Sequence, residues 1–397
     1  MISEKMKDLV SKSSVIRAMF EEGKQMAKVY GKENVYDFSL GNPSVAPPET
    51  VKEAIKDILD NEEPTFVHGY TSNSGYEDVL QFVAEKLNQK FGTDFTPQCI
   101  AMTNGAAGGI NVIFKVLLNP GDEVIAFAPF FGEYRNYAVN YDANLVVVDP
   151  DFEKMQINFK DFESKITPKT KAVIINSPNN PSGVIYSEET LNTVAEILYK
   201  KQKEFGTSIY LVSDEPYREL AYDRAVVPYV TKFYKNAIVG YSFSKTLSLP
   251  GERIGYIAVS PEADSFEEIM AGVSVATRIL GFVNAPSLFQ RVVLKCFDEK
   301  SDLDVYDRNR KYLYNMLTSL GFECIYPQGA FYLFPKTPIA DDAKFCNDAK
   351  EFRILMVPGT AFGCPGYARL VYCVSFDTIK NSEESFKKLA EKYGMIK

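Results

Sequence analysis

Along the chain, apolar positions change their spacing in a regular order. In Tyr76–Phe91, Val79, Phe82, Val83 and Leu87 recur at three- and four-residue intervals with charged residues between them, which predicts an amphipathic helix. Cys99–Thr103 then reads as a strand, Ala106–Leu118 as a helix, and the Asn-Pro-Gly-Asp run Asn119–Asp122 as a turn. Short runs follow, EVIAFA, LVVV, KAVIIN, SIYLVSD, NAIVGYS and IGYIAVS, several of them separated by helical stretches such as Glu188–Phe205. Runs apolar on both faces that alternate with helices imply an α/β fold with a mostly parallel central sheet covered by helices. Towards the C-terminus the pattern changes. A long helical stretch, Pro286–Leu320, leads into expected strands at Phe322–Ile325, Phe331–Phe334 and Leu370–Val374. This predicts a smaller α+β domain that the N-terminal segment joins: a large domain at 46–285, and a small one from 1–45 and 286–397.

Composition narrows the function more than the fold. With 397 residues, 46% hydrophobic and 24% charged, the chain is long and apolar enough for a well-buried core, and wholesale disorder is excluded. The 44 basic and 52 acidic side chains give a net charge of -8, which argues against a bulk electrostatic grip on nucleic acid. The start, MISEKMKDLV, lacks the apolar run of a signal peptide, and no apolar stretch reaches the ~18 residues of a membrane span. A soluble cytoplasmic protein is expected. Six scattered cysteines without a C-x-x-C pair read as free thiols of a reducing compartment. The single histidine, His68, rules out a three-histidine zinc site, H-E-x-x-H and a two-histidine iron site, so no metal centre is expected. A Ser-His-Asp or Cys-His device would need His68, and no G-x-S-x-G elbow serves it.

In open α/β sheets ligands bind beyond the C-terminal ends of the strands. After Cys99–Thr103 comes Asn104-Gly105-Ala106-Ala107 at a helix start, and after KAVIIN comes Ser177-Pro-Asn-Asn180-Pro-Ser-Gly183. Asp214-Glu-Pro-Tyr217 follows SIYLVS, and Ser242-Phe-Ser244-Lys245 follows NAIVGY, with Gly251-Glu-Arg253-Ile-Gly255 just beyond. Free backbone N–H groups at Gly105, Ala106 and Ala107 suit a phosphate, helped by the helix dipole, although the same residues also suit a plain glycine-assisted helix start. Ser242, Ser244 and the two-pronged Arg253 would complete a phosphate cup. Each of the others also has an ordinary reading: Lys245 a surface lysine, Asp214 a cap, Asn180 a turn residue. Ser242-Phe-Ser-Lys245 satisfies the S-x-x-K nucleophile motif of β-lactamases. The S-D-N and K-T-G partners are lacking, since the chain has Ser213-Asp214-Glu215 upstream and Lys336-Thr337-Pro338, so that reading fails.

In this order, N-N-P-S-G, D-E-P-Y and S-F-S-K-T-L-S-L-P-G-E-R-I-G-Y closely resemble the class I/II pyridoxal-phosphate-dependent aminotransferases of fold type I, the aspartate aminotransferase-like enzymes. The resemblance runs from Gly41-Asn-Pro43 to Arg369. It implies a transaminase that exchanges an amino group between an L-amino acid and a 2-oxo acid by a ping-pong mechanism, with glutamate/2-oxoglutarate as one pair. By resemblance, Lys245 holds the aldehyde of pyridoxal 5'-phosphate and moves the substrate proton, a task for a lysine of lowered pKa. Asp214 faces the pyridine nitrogen, Asn180 and Tyr217 bond the 3'-oxygen, and Phe131 stacks on the ring. The phosphate lies on Gly105, Ala106 and Ala107 with Ser242, Ser244 and Arg253, and Tyr70 reaches the phosphate of a neighbouring subunit, which implies a homodimer with shared sites. Arg369 clamps the substrate α-carboxylate, assisted by Asn180 and Gly41. By its spacing from Phe131, Tyr134 stands where some family members have a histidine behind the aspartate. Arg278 lies near the position of an arginine that selects dicarboxylates. Two other functions are compatible with the same cofactor: a carbon-sulfur β-lyase, and a cofactor-sensing effector domain of a transcription regulator, for whose DNA-binding module the chain has no room.

Overall fold

The computed structural model describes residues 2–11 and 15–396; Met1, residues 12–14 and Lys397 lie outside the described residues. The central sheet has seven strands: β1 (Ile100–Thr103), β2 (Glu123–Phe127), β3 (Asn144–Val148), β4 (Thr170–Asn176), β5 (Tyr210–Asp214), β6 (Ala237–Ser242) and β7 (Gly255–Val259). Their order is β1-β7-β6-β5-β4-β2-β3. Only β7 runs against its neighbours, as expected of a mostly parallel sheet. All these strands except β2, β3 and β4 are buried along their whole length, and β4 is buried at every position but Lys171, which is why they read as apolar runs rather than alternating ones.

Successive side chains go to opposite layers. Ile125, Phe127, Val173, Ile175, Leu211 and Val239 join one core, while Val124, Ala126, Ala172, Ile174, Val212 and Ile238 join the other. Eight helices matter here: α1 (Glu49–Asn61), α2 (Glu77–Phe91), α3 (Gly105–Leu117), α4 (Glu133–Val139), α5 (Glu188–Phe205), α6 (Phe266–Ile279), α7 (Ser287–Cys296) and α8 (Leu303–Ser319). Helices α2 and α5 cover the first layer through Val79, Val83 and Leu87 and through Leu191, Val194 and Leu198. Each such side chain stabilises by about 1.5–3 kcal/mol when fully buried. Helix α5 begins where the Ser187 hydroxyl accepts from the Thr190 N–H (3.1 Å) and ends at Gly206 in the left-handed conformation. Helix α3 lies on β6 and β7 on the second side, under α6.

A three-stranded antiparallel sheet forms the smaller unit: β8 (Tyr332–Leu333), β9 (Val357–Pro358) and β10 (Ala368–Val371), in the order β8-β10-β9. The N-terminal segment joins it where Tyr36–Asp37 pairs in parallel with Ile354–Leu355. The helical stretch expected over Pro286–Leu320 is two helices. Asp302 caps α8 by accepting from the Asp304 N–H (3.0 Å), and the Ser301 N–H donates to Thr246 O (2.8 Å), so the chain between α7 and α8 is tied to the large sheet. Val292, Val293 and Cys296 of α7 pack in the first core with α1 and α2, whereas Tyr306 and Leu313 of α8 belong to the core of the smaller unit. We therefore propose that the large unit extends through Cys296 rather than ending at 285. The strand expected at Phe322–Ile325 has no ladder: its link is the Lys336 N–H donating to Glu323 O (2.8 Å), one bond where a strand needs a series. No helix among the described residues is long and apolar enough to cross a membrane.

Candidate active site

Strand register assembles the site. Thr103 pairs with Gly255, and Gly255 with Ser242, so the ends of β1 and β6 and the start of β7 lie in one line. That line brings together the Gly105 turn, Arg253 and the Ser242–Lys245 segment. Gly105 has φ +73°, and a Cβ there would stand 2.7 Å from the Arg253 guanidinium, so glycine is required for both reasons. Arg253 is exposed and donates to Pro250 O (2.8 Å) and Asn104 O (3.2 Å). The Ser242 hydroxyl donates to Ser244 Oγ (2.7 Å) and accepts from the Ser244 N–H (3.2 Å), capping the short helix Phe243–Thr246 that carries Lys245.

One register step further, Asn176 pairs with Asp214 and Asp214 with Gly240. The Asn176 side chain donates to Asp214 O (2.8 Å) and accepts from the Asn180 N–H (2.7 Å), tying the two loops together. The Asp214 carboxyl is buried. Its Oδ2 accepts the Tyr134 O–H, and among the described residues its Oδ1 has no partner. Burial pushes this carboxyl up to about 7; the Tyr134 hydrogen bond pulls it down and the neighbouring Glu215 pushes it up. Lys245 Nζ donates to Gly41 O (2.8 Å). Burial lowers this amine to about 8, opposed by the Cys373 thiol and helped by Arg369 and Arg253.

The smaller unit supplies the remaining wall. Arg369, on β10, is buried between the rings of Tyr332 and Phe362, its guanidinium carbon 4.9 and 4.8 Å from their centroids. It donates to Asn180 Oδ1 (3.1 Å) and to Ser39 O, while its Nε has no partner among the described residues. Burial draws its affinity for the proton below the ordinary arginine value. The hydroxyls of Tyr217 and Tyr332 share a hydrogen bond (2.6 Å). A Cβ on Gly41 would stand 2.5 Å from the Tyr332 hydroxyl, so only glycine lets the N-terminal segment approach this closely.

The structure places Gly41, Ala106, Ala107, Phe131, Asn180, Asp214, Tyr217, Ser242, Ser244, Lys245, Arg253 and Arg369 around one cavity of about 260 Å³. Tyr70 is outside it and 90% exposed, and Arg278 is exposed in the last turn of α6. Sequence reasoning missed Leu40, Ile110, Tyr137, Asn176, Pro216, Pro250 and Tyr332, which also line the cavity. Asn176 was hidden at the end of an apolar strand, and Tyr332 reads as one more aromatic in a core strand. Only the register shows that they point inward.

The strand ends of an open α/β sheet hold a half-buried lysine of lowered pKa and a buried carboxylate, and a buried arginine of the smaller sheet lines the same cavity, an arrangement suited to amino-group chemistry. Residues 33–385 match the family model described as Aminotransferase class I and II. An aspartate aminotransferase of Pyrococcus horikoshii is 31% identical over 96% of each chain. Among solved structures, an amino transferase from Eubacterium rectale superposes with a TM-score of 0.96 at 46% identity over 99% of each chain. The aspartate aminotransferase of Thermus thermophilus with maleate superposes with 0.86 at 26% identity, over 98% of this chain and 99% of that one. The chain belongs to the class I and II aminotransferases, a family of transaminases that use pyridoxal phosphate.

Proposed function

We propose that this aminotransferase runs a ping-pong exchange in which glutamate/2-oxoglutarate is one pair, with the reaction centred on Lys245. One observation carries the reading: Asp214 Oδ1 and Arg369 Nε are buried polar atoms without partners, and both residues line the cavity that holds Lys245. A buried unsatisfied polar atom costs about 1–3 kcal/mol, so the site is built for a ligand that supplies a donor at one point and an acceptor at the other. Pyridoxal phosphate with an amino acid fits: a ring N–H for Asp214, a carboxylate for Arg369, a phosphate for the Gly105 turn. When bound, this cofactor supplies the aldehyde that takes up the amino group and an electron-poor ring that accepts charge from the substrate α-carbon.

The rest belongs to the chain. Lys245 at about 8 has roughly one neutral amine in ten at pH 7, enough to attack an aldehyde and then to take the α-proton on Nζ. Asp214 would keep the ring nitrogen protonated by accepting its N–H on Oδ1. Tyr217 and Asn180 would donate to the ring oxygen, Phe131 would stack on the ring, and Ser242, Ser244 and Arg253 with the amides of Gly105, Ala106 and Ala107 would hold the phosphate. Arg369 grips the α-carboxylate beside Asn180 and the Gly41 backbone. Tyr70, fully outside its own cavity, reaches the phosphate of a second copy in a homodimer of the cytoplasm.

A half-reaction tests the reading. The cofactor-loaded enzyme mixed with glutamate and no acceptor should release one 2-oxoglutarate per active site and stop, then resume when a second 2-oxo acid is added. Continuous release of pyruvate from a cysteine conjugate without any acceptor would instead make it a β-lyase.

A further inference from the structure

The N-terminal segment reaches Arg369 by way of a side chain that lies outside the cavity. The parallel pairing with Ile354–Leu355 ends at Phe38, whose N–H donates to Leu355 O (2.9 Å) and whose carbonyl accepts from the Val371 N–H of β10 (3.0 Å). Ser39 then leaves the ladder. Asp37 Oδ1 accepts both the Ser39 N–H (2.9 Å) and the Ser39 hydroxyl (2.6 Å). An aspartate that holds the N–H two residues on makes an Asx turn, which bends the chain out of a straight strand. The Ser39 carbonyl accepts instead from Nη2 of Arg369, two residues before Val371. Beyond it Leu40 and Gly41 line the cavity, and Gly41 O accepts from Lys245. Among the described residues Asp37 hydrogen-bonds to Ser39 alone; burial raises its carboxyl, and those two bonds lower it. Its other oxygen lies against the helix Val15–Tyr30, where a Cβ on the buried Gly23 would stand 2.9 Å from Oδ2. Glycine is unfavourable inside a helix, so what it provides at 23 is room for this carboxylate.

We propose that Asp37 is a positioning residue for the substrate-carboxylate clamp: by holding the N–H and the hydroxyl of Ser39 it aims the Ser39 carbonyl at Arg369 and so fixes how the guanidinium is turned toward the substrate. This rests on the reading that Arg369 binds the α-carboxylate. The guanidinium is held at Nη1 by Asn180 and at Nη2 by Ser39, between the rings of Tyr332 and Phe362. Ring contacts are broad in direction and hydrogen bonds are not, so the two acceptors decide the orientation of the fork. Asn180 comes from the large unit and Ser39 from the N-terminal segment. A backbone carbonyl points where its turn points it, and Asp37 makes this turn with two bonds. The helix Val15–Tyr30 closes over the carboxylate at Gly23, which links that helix to the clamp.

The test uses the full chain, loaded with pyridoxal phosphate and given a panel of amino acids. Asp37→Ala should raise the KM for every amino acid at least ~10-fold with kcat within ~3-fold, since the clamp binds the part that substrates share. Asp37→Asn keeps an oxygen for both Ser39 donors and should return KM to within ~3-fold of the wild type. Ser39→Ala, which keeps the N–H bond alone, should fall between. Gly23→Ala separates position from stability: the unfolding temperature should hold or rise, while the new Cβ displaces the carboxylate and raises KM ~3-fold or more. It also carries the test if Asp37→Ala does not fold. In the cofactor-free protein, the nitrogen-15 side-chain signal of Arg369, assigned by its loss in Arg369→Ala, should shift in Asp37→Ala and return in Asp37→Asn. An unchanged KM or Arg369 signal in Asp37→Ala (in Gly23→Ala if the former is unfolded), a rise confined to one substrate, or an Asp37→Asn enzyme as weak as Asp37→Ala would overturn the proposal. Failure of the underlying reading looks different, since Arg369→Ala would then leave the KM for amino acids unchanged as well.

Discussion

In the lining of the cavity Arg253 is exposed and already donates to two backbone carbonyls, whereas Asp214 and Arg369 are buried, and each keeps one polar atom without a partner among the described residues. All three carry charge toward a ligand, but the cost of dehydrating the charge falls at different moments. Arg253 still exchanges with water, so a phosphate arriving there replaces solvent and gains modestly. At Asp214 and Arg369 the protein met the dehydration cost when it folded, and each ligand contact there recovers free energy that the empty site lacks. Affinity and catalysis should therefore respond far more sharply to changes at the two buried residues.

The largest expected effect is at Arg369. Arg369→Ala should lower kcat/KM by roughly 10²–10³-fold for every amino acid alike, since it removes a two-pronged, desolvated grip on the part that substrates share. Steady-state kinetics across a panel of amino acids checks this, and a loss confined to one substrate would place the carboxylate clamp elsewhere. Asp214 gives a smaller effect with a sign set by pH. Its carboxyl is raised from 3.8 to about 7 in the fold, so its burden on stability is absent below the unfolded value and complete above the folded one. In the cofactor-free protein, Asp214→Asn should be neutral near pH 4 and stabilising by up to about 4 kcal/mol near pH 8, from roughly three pH units at 1.36 kcal/mol each. Lys245, lowered from 10.5 to about 8, loads stability in the opposite direction, over the interval from 10.5 down to 8. At pH 8 about half of its amines are neutral, so Asp214 is isolated by comparing Asp214→Asn with the wild type at each pH, where the lysine contribution is common to both. Arg253→Ala, the solvated counterpart, should stay within ~0.5 kcal/mol throughout.

How much of this was legible in the sequence follows the range of the interactions. The strands of the large sheet showed because burial on both faces leaves a local mark, an unbroken apolar run. Helix α5 showed to the residue because its serine cap and its glycine stop are both local. The stretch Phe322–Ile325 misled because an apolar run beside the core resembles a strand whether or not a ladder forms. The break after α7 was missed because the tie from Ser301 to Thr246 acts through distant chain, although the Asp302 cap of α8 is itself a local signal. Lys245, Asp214, Asn180 and Arg253 were legible as strand-end residues with a recognisable motif around them. Tyr332 was not, since it meets Tyr217 across 115 residues through the docking of the two units. The orphaned oxygens and nitrogens, which argue best for a ligand, are properties of packing and have no sequence signature.

The central claim is that Lys245 is the residue that takes the cofactor. The most direct measurement is to load the protein with pyridoxal phosphate, reduce it with borohydride, digest it and locate the added mass by mass spectrometry. The account predicts a single modified site at Lys245, lost in Lys245→Ala without a change in fold. A label on another lysine, or undiminished label and turnover in the Lys245→Ala protein, would contradict it.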